Sequence, residues 1–407
     1  MKKYLIFVLI LQIGFVKLSA QELINPSLVG RDSLRNGNYL TPLNLLRQDE
    51  KKYLQSKWGW LYRQYIATMY SYVGQYDLAL QYFDNFYDED SSLSAVDTVA
   101  FEPVDAETYI MDALDTVQAL FINESHHMQQ HRILTLNLLK KLKEKGFSYF
   151  AAEAIFQADS LLQKRGYPIR GVSGEYLNEP ILANMVREAI RLGFTIVAYD
   201  EAVSSASERE KKQAENMYNK IFKNDPKAKV IVHAGYAHIY EKEQKRKYMA
   251  QHFLEITGIN PLTVNQTEMH EQYNRSKEKS YYRFFSDSYT FDKPMIFVSK
   301  KSNKVWVSPD MESYYDLEIF LPRTQYKDGR PQWLKYDRLK SVEISIPNKE
   351  SLVYPILLQV FDASEDVLAT PIDQILIENA QKRILVFTPG KNAKIRIIDS
   401  NGKRIIL

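Results

Sequence analysis

From about Val104 to Ser299 short apolar runs of strand character alternate with longer stretches of helical period, and this alternation restricts the fold more than any other feature of the chain. Val117-Gln118-Ala119-Leu120-Phe121-Ile122 reads as a buried strand. His127 to Lys145 follows as a helix with Leu134, Leu138 and Leu142 on one face, and Gly146 ends it. Ser148 to Ala152 is a second strand. Asn178-Glu179-Pro180 opens a helix that buries Ile181, Leu182, Met185, Val186, Ala189 and Ile190 and stops at Gly193. Phe194 to Tyr199, Glu208 to Lys223 and Val230-Ile231-Val232 continue as strand, helix and strand. Helices of this length between strands predict a mostly parallel sheet with flanking helices and right-handed crossovers.

The flanks differ in texture. From about Tyr39 to Tyr87 the pattern is helical and aromatic, and Trp60-Leu61-Tyr62, Gly74-Gln75-Tyr76 and Tyr82-Phe83 fit one tetratricopeptide-like unit of two helices around a Gly-centred turn. One unit cannot bury its own face, so it packs on neighbouring elements or receives a protein partner. Asp88 to Asp97 is polar and acidic, a natural boundary. After Ser299 the runs 305–307, 342–346, 384–387 and 395–398 are short strands between turn residues, with Asn401-Gly402 as a hairpin turn. The expected organisation is α/β: a signal peptide over 1–20, a small helical segment over 21–98, an α/β domain over 99–299 and a small all-β domain over 300–407.

Lys2 and Lys3, the apolar run Tyr4 to Val16 and the small residues Leu18-Ser19-Ala20 form an export signal, which predicts a periplasmic or surface location. No later run is long enough for a membrane span. There is no cysteine, which removes disulfides, thiolate metal sites and a cysteine nucleophile. A net charge of +3 with no basic block argues against nucleic acid as a partner.

In parallel α/β sheets ligands bind beyond the carboxyl ends of the strands. Here those ends carry Glu124, His126 and His127 after the first strand, with His131 and Arg132 a turn later; Glu153 after the second; Asp200 and Glu201 after the third; and His233, Gly235 and His238 at the fourth. Four strand ends thus deliver carboxylates and imidazoles to one face. An imidazole oriented by a carboxylate can act as a general base near neutral pH. The same residue types can hold a hard or borderline metal that generates hydroxide, with His126, His238 and His233 as ligands. His252 and His270 fall outside the pattern, and Arg209 opens a helix where a surface charge competes with a substrate clamp.

Asn123-Glu124-Ser125-His126 and Gly235-Tyr236-Ala237-His238 resemble the two His turns of a superfamily that contains the erythromycin-esterase-like proteins, the ChaN-like haem-binding lipoproteins and the TIKI/TraB proteins. The segment Gly146 to Glu153, and Glu208-Arg209-Glu210 with Ala214-Glu215-Asn216, are similar to the esterase-like branch. The resemblance spans roughly Asp115 to Val264. One departure is Asn123, which stands where the pattern has Gly and is expected to adopt a left-handed backbone. The resemblance implies a hydrolase acting on an ester or amide of a small molecule or peptide. Glu124, His126, Glu153 and His238 would be catalytic, and His127, Arg132, Arg209 and Glu201 would face the substrate. A divalent metal (Zn, Mn or Co) is one cofactor it implies, and haem another. Two further readings are an exported haem- or iron-binding protein and a non-catalytic partner-binding protein.

Overall fold

The computed structural model describes residues 23–86, 96–336, 339–346, 351–381, 383–390 and 392–407. The expected signal over 1–20 and most of the acidic stretch after Tyr87 lie outside the described residues. Five helices come first: α1 (Arg31–Arg35), α2 (Leu40–Gln48), α3 (Glu50–Leu54), α4 (Gly59–Tyr72) and α5 (Tyr76–Phe83). The α/β segment then runs β1 (Phe101–Asp105), α6 (Ala106–Ala113), β2 (Ala119–Glu124), α7 (Gln130–Glu144), β3 (Tyr149–Ala152), α8 (Leu162–Arg165), α9 (Pro180–Arg191) and β4 (Thr195–Ala198). It continues through α10 (Ala206–Met217), β5 (Val230–Gly235), α11 (Met249–Thr257), β6 (Leu262–Asn265), α12 (Ser280–Ser288), β7 (Met295–Ser299) and β8 (Leu317–Glu318). Among the described residues no helix is long and apolar enough to cross a membrane.

The central sheet has six strands in the order β4-β3-β5-β2-β6-β8, every neighbouring pair parallel. Side chains alternate across it, as the two-residue period of a strand requires. Leu120, Ile122, Phe150, Ala152 and Ile231 join Leu138 and Leu142 of α7 and Met185 and Val186 of α9 in one buried cluster. Ala119, Phe121, Ala151, Val230, Val232 and Ala234 join Ala214 and Met217 of α10 and Phe253 of α11 in another. This is the α/β sandwich that the sequence pattern anticipates. The sixth strand, however, comes from beyond 299. Two residues are too few to show a period, so β8 left no sequence signal. The antiparallel pair β1–β7 is a separate two-stranded sheet whose Ile296 and Val298 pack in the same core cluster as Leu120 and Ile122 of the central sheet.

The C-terminal strands are β9 (Tyr326–Lys327), β10 (Arg330–Pro331), β11 (Lys340–Ile344), β12 (Ile356–Asp362), β13 (Asp373–Ile377), β14 (Ile384–Thr388), β15 (Ala393–Ile398) and β16 (Arg404–Ile406). They form antiparallel sheets, the largest ordered β13-β12-β15-β16. The expected hairpin at Asn401-Gly402 joins β15 to β16. Val305 makes only an isolated bridge to Val298.

The predicted two-helix unit is α4 and α5, turning at Gly74 with φ +72. Its apolar side chains Tyr62, Ile66 and Met69 share a core with Leu357, Leu376 and Ile398 of the C-terminal strands. The turn also caps the edge strand β13: Leu376 N donates to Val73 O at 2.8 Å and Gln75 Nε2 to Leu376 O at 2.7 Å. An uncapped edge would offer those groups to another chain.

Candidate active site

The site forms where three adjacent strands end. β5 lies between β3 and β2, and in register Glu124 sits opposite Gly235. The alternation that puts Leu120 and Ile122 toward α7 puts Glu124 there too, whereas Glu153 leans toward α10. The intervening residue is Gly235, and its missing side chain is what lets the two halves meet. A Cβ added there would lie 2.5 Å from His126 Cε1, 2.7 Å from His126 Nε2 and 2.9 Å from Glu153 Oε2. Gly235 N in turn donates to Glu153 Oε2 at 2.7 Å.

Glu124 is 3% exposed, and hydrogen bonds surround its carboxylate. Its Oε1 lies 2.9 Å from His126 Nδ1 and 2.8 Å from an Arg132 guanidinium nitrogen; its Oε2 lies 2.6 Å from Arg132 Nε and 2.8 Å from His233 Nε2. Burial works against this charge, but Arg132, His126 and His233 outweigh it and hold the carboxyl well below its usual range. An ionised carboxylate only accepts, so both histidines donate to it. The neutral His126 ring therefore carries its proton on Nδ1 and leaves Nε2 with a lone pair. His233 donates from Nε2, and its Nδ1 accepts from Thr135 Oγ1 at 3.0 Å.

The second half centres on Glu153. Arg209 bridges Glu153 Oε1 at 2.6 Å and both oxygens of Asp200 at 2.8 and 2.6 Å. His238 Nε2 approaches Glu153 Oε1 at 3.4 Å, and its Nδ1 bonds Glu210 Oε2 at 2.8 Å. Burial opposes an imidazolium there, but Glu153 and Glu210 push its pKa up to about 10. His238 is thus a fixed cation near neutral pH rather than a base. Burial likewise opposes the charge of Glu153, and His238, His126 and Arg209 hold that carboxyl well below its usual range.

His126 is clamped between rings: Tyr176 stacks on it at 4.1 Å between centroids, and Tyr236 meets it edge-on at 5.2 Å. Tyr236 has φ +39, uncommon outside glycine, and its carbonyl accepts from Asn123 Nδ2 at 3.0 Å. Asn123 itself is an ordinary strand residue, so the expected left-handed backbone is not there. Its amide instead ties the two His turns together, which a glycine could not do.

Of the candidate residues, Glu124, His126, Glu153, Gly235 and His238 come together as the strand ends suggested. Arg132 does not face substrate. It is fully buried, and its remaining arm reaches Glu179 at 2.6 Å, so it is a positioning residue. Arg209 holds Glu153 and Asp200. Glu201 is exposed and accepts from Asn216 at 3.2 Å, while the neighbouring Asp200 turns inward to Arg209. His131 is buried, and its Nδ1 accepts from Ser125 N at 2.9 Å. His270 packs against it, with ring centroids 5.3 Å apart, and His252 faces Glu255 at 3.6 Å. The structure adds Glu179, Tyr176 and Thr135, which sequence reasoning missed. Only Glu179 had a signal, as a carboxylate immediately before the helix-opening Pro180, where it accepts from Ile181 N and Leu182 N.

The residues do not fit the metal site that the imidazoles suggested. His233 and His238 each have both ring nitrogens engaged by protein groups, leaving His126 Nε2 alone of the three. Among the described residues no group of three or more His, Asp or Glu is disposed to hold a metal ion.

His126 opens into a cleft of about 370 Å³ whose far wall is the N-terminal helices, through Tyr65, Thr68, Tyr72 and Phe83. A larger cleft of about 860 Å³ lies between α7, α9 and the C-terminal strands, away from this chemistry. Of the cations lining it, Lys141, Arg187 and Arg191 are paired with Glu107, Glu365 and Glu188.

No family model matches the chain, and no curated protein does. Among solved structures it is similar to the type III effector HopBA1, with TM-score 0.30 and 11% identity over 45% of this chain and 96% of that one. A structure described as bacterial protein toxins gives TM-score 0.31 and 14% identity over 57% of this chain and 56% of that one. RRSP, a MARTX toxin effector domain from Vibrio vulnificus CMCP6, gives TM-score 0.27 and 17% identity over 54% of this chain and 45% of that one. The chain thus spans about half the length of the latter two.

Proposed function

We propose that this chain is a hydrolase of ester or amide bonds in which His126 is the general base. The observation that carries the reading is the Glu124–His126 pair: a buried carboxylate fixes the Nδ1–H tautomer, and the ring lines the cleft and is clamped by two tyrosines. Nε2 would take a proton from water as the water oxygen bonds to the substrate carbonyl carbon. The imidazolium so formed lies between the carboxylates of Glu124 and Glu153, which stabilise it. His126 would then pass the proton to the leaving alkoxide or amine as its bond to carbon breaks. Glu124, Arg132 and His233 position the base, and Arg209, His238 and Glu210 hold Glu153. The export signal in the sequence supports placing this activity in the periplasm or at the cell surface.

Turnover of a panel of 4-nitrophenyl esters by the wild type and by His126→Gln tests the reading. The variant should lose on the order of 100-fold in kcat/KM or more while keeping the wild-type melting temperature. Equal rates in the two proteins would sink the assignment. An absorbance band gained on adding haem, without turnover of any ester, would favour the haem-binding alternative.

A further inference from the structure

The walls of the cleft above His126 constrain what it can hold. Six of the residues lining it are Tyr65, Tyr72, Phe83, Phe156, Tyr176 and Tyr236. Two flat stacks border it: Tyr176 on His126, and Phe83 on His127 with centroids 3.4 Å apart and planes 12° from parallel. Faces of this kind favour a planar ring over a chain or a bulky cage. The volume, about 370 Å³, is near the lower end of small-molecule sites and too small for a polymer segment.

Charge narrows the choice further. Arg31, the cation in the lining, faces Glu175 at 3.9 Å. Behind the lining, Arg209 is taken by Asp200 and Glu153, and His238 by Glu153 and Glu210. An ionised ligand would have to leave water for an aromatic cleft whose charges are already matched, which is unfavourable.

Two polar groups in the walls are nonetheless unmatched. His127 is 2% exposed, and neither of its ring nitrogens has a hydrogen-bond partner; the buried hydroxyl of Tyr65 has none either. Burial, with His270 and His126 nearby, keeps the His127 ring neutral, so it offers one donor and one acceptor. Buried polar groups are ordinarily paired, so these two point to a ligand that pairs them.

We propose that the cleft selects an uncharged ester or amide bearing a flat aromatic ring, which lies between the tyrosines of the helical hairpin and the rings around His126 and presents a hydrogen-bonding substituent to His127 and Tyr65. The scissile bond in this statement rests on the hydrolase reading; the ring recognition does not.

Calorimetric titration of the full chain with three probes tests it: methyl 4-hydroxybenzoate, methyl cyclohexanecarboxylate and the monoanion of monomethyl terephthalate. The hydroxybenzoate ester should bind about tenfold or more tighter than the other two. Tyr65→Phe and His127→Phe, which keep a ring, should each weaken it by about three- to tenfold, and Tyr65→Phe decides the matter if His127→Phe does not fold. Equal binding of the three probes, tighter binding of the anion, no binding at all, or no change in either folded variant would overturn the proposal. Chromatography of the same mixtures separates it from the hydrolase reading. An aromatic ester bound but never cleaved removes the hydrolase and leaves the cleft assignment, whereas preferential cleavage of the aliphatic ester does the reverse.

Discussion

At Gly235 a methyl group would come within 2.5 Å of His126 and 2.9 Å of Glu153, closer than real side-chain contacts, so the ring, the carboxylate or the strand end would have to shift. The backbone there is extended, and an alanine would fit it without dihedral strain. Gly235→Ala should therefore fold with a near-normal melting temperature and lose roughly 10- to 100-fold in turnover; a variant of full activity would show that His126 and Glu153 need not meet. Charge at the same residues sets a pH dependence. His238 has its pKa raised from 6.5 to about 10, so the stability it contributes is complete below 6.5 and is lost as pH rises through 10. Glu124 and Glu153 have theirs depressed, so their contribution is present above about 4.5 and is lost as pH falls. Unfolding midpoints in urea should be highest between about pH 5 and 7, and His238→Gln should flatten the alkaline limb alone. An unchanged alkaline limb in that variant would show that His238 is not the bridging cation.

The helical hairpin α4–α5 is legible in the sequence because its turn needs a left-handed residue and its helices carry a regular apolar stripe. What the stripe packs against is not legible, since a face long enough to bury does not name its cover. That cover is the C-terminal sheet on one side and the candidate cleft on the other, so the hairpin is a wall of the molecule. Gly74 makes both demands at once: φ is +72, and a Cβ would lie 2.6 Å from the carbonyl oxygen of Gln374. Gly74→Ala should cost roughly 1–3 kcal/mol and lower the melting temperature by several degrees. A neutral result would mean the hairpin is not held on β13 in solution.

Across the whole molecule the three textures of the sequence do not correspond to three separate cores. The N-terminal helices share theirs with β12, β13 and β15, and β8 from beyond residue 299 completes the central sheet. Asn184 and Arg187 of α9 also bond the segment before β13, through the carbonyls of Ile372 and Thr370. Thermal unfolding followed by far-ultraviolet dichroism and by tryptophan fluorescence should therefore give coincident transitions. Two separated transitions would restore independent flanking domains.

Sequence alone determined the alternation of strands and helices and the residue types at each strand end, because both are local: a period of two or 3.6, and a turn that begins where the apolar run stops. It therefore named Glu124, His126, Glu153 and His238 without any knowledge of distance. Strand order was decided only in three dimensions. With β5 between β2 and β3, a glycine on the middle strand brings together groups from the outer two. Hydrogen bonding likewise turned Arg132 inward, closed His233 and His238 to a metal and left His126 Nε2 available, because burial obliges each ionised or polar side chain to find a partner, and which partner is within reach depends on packing that no single stretch of sequence contains.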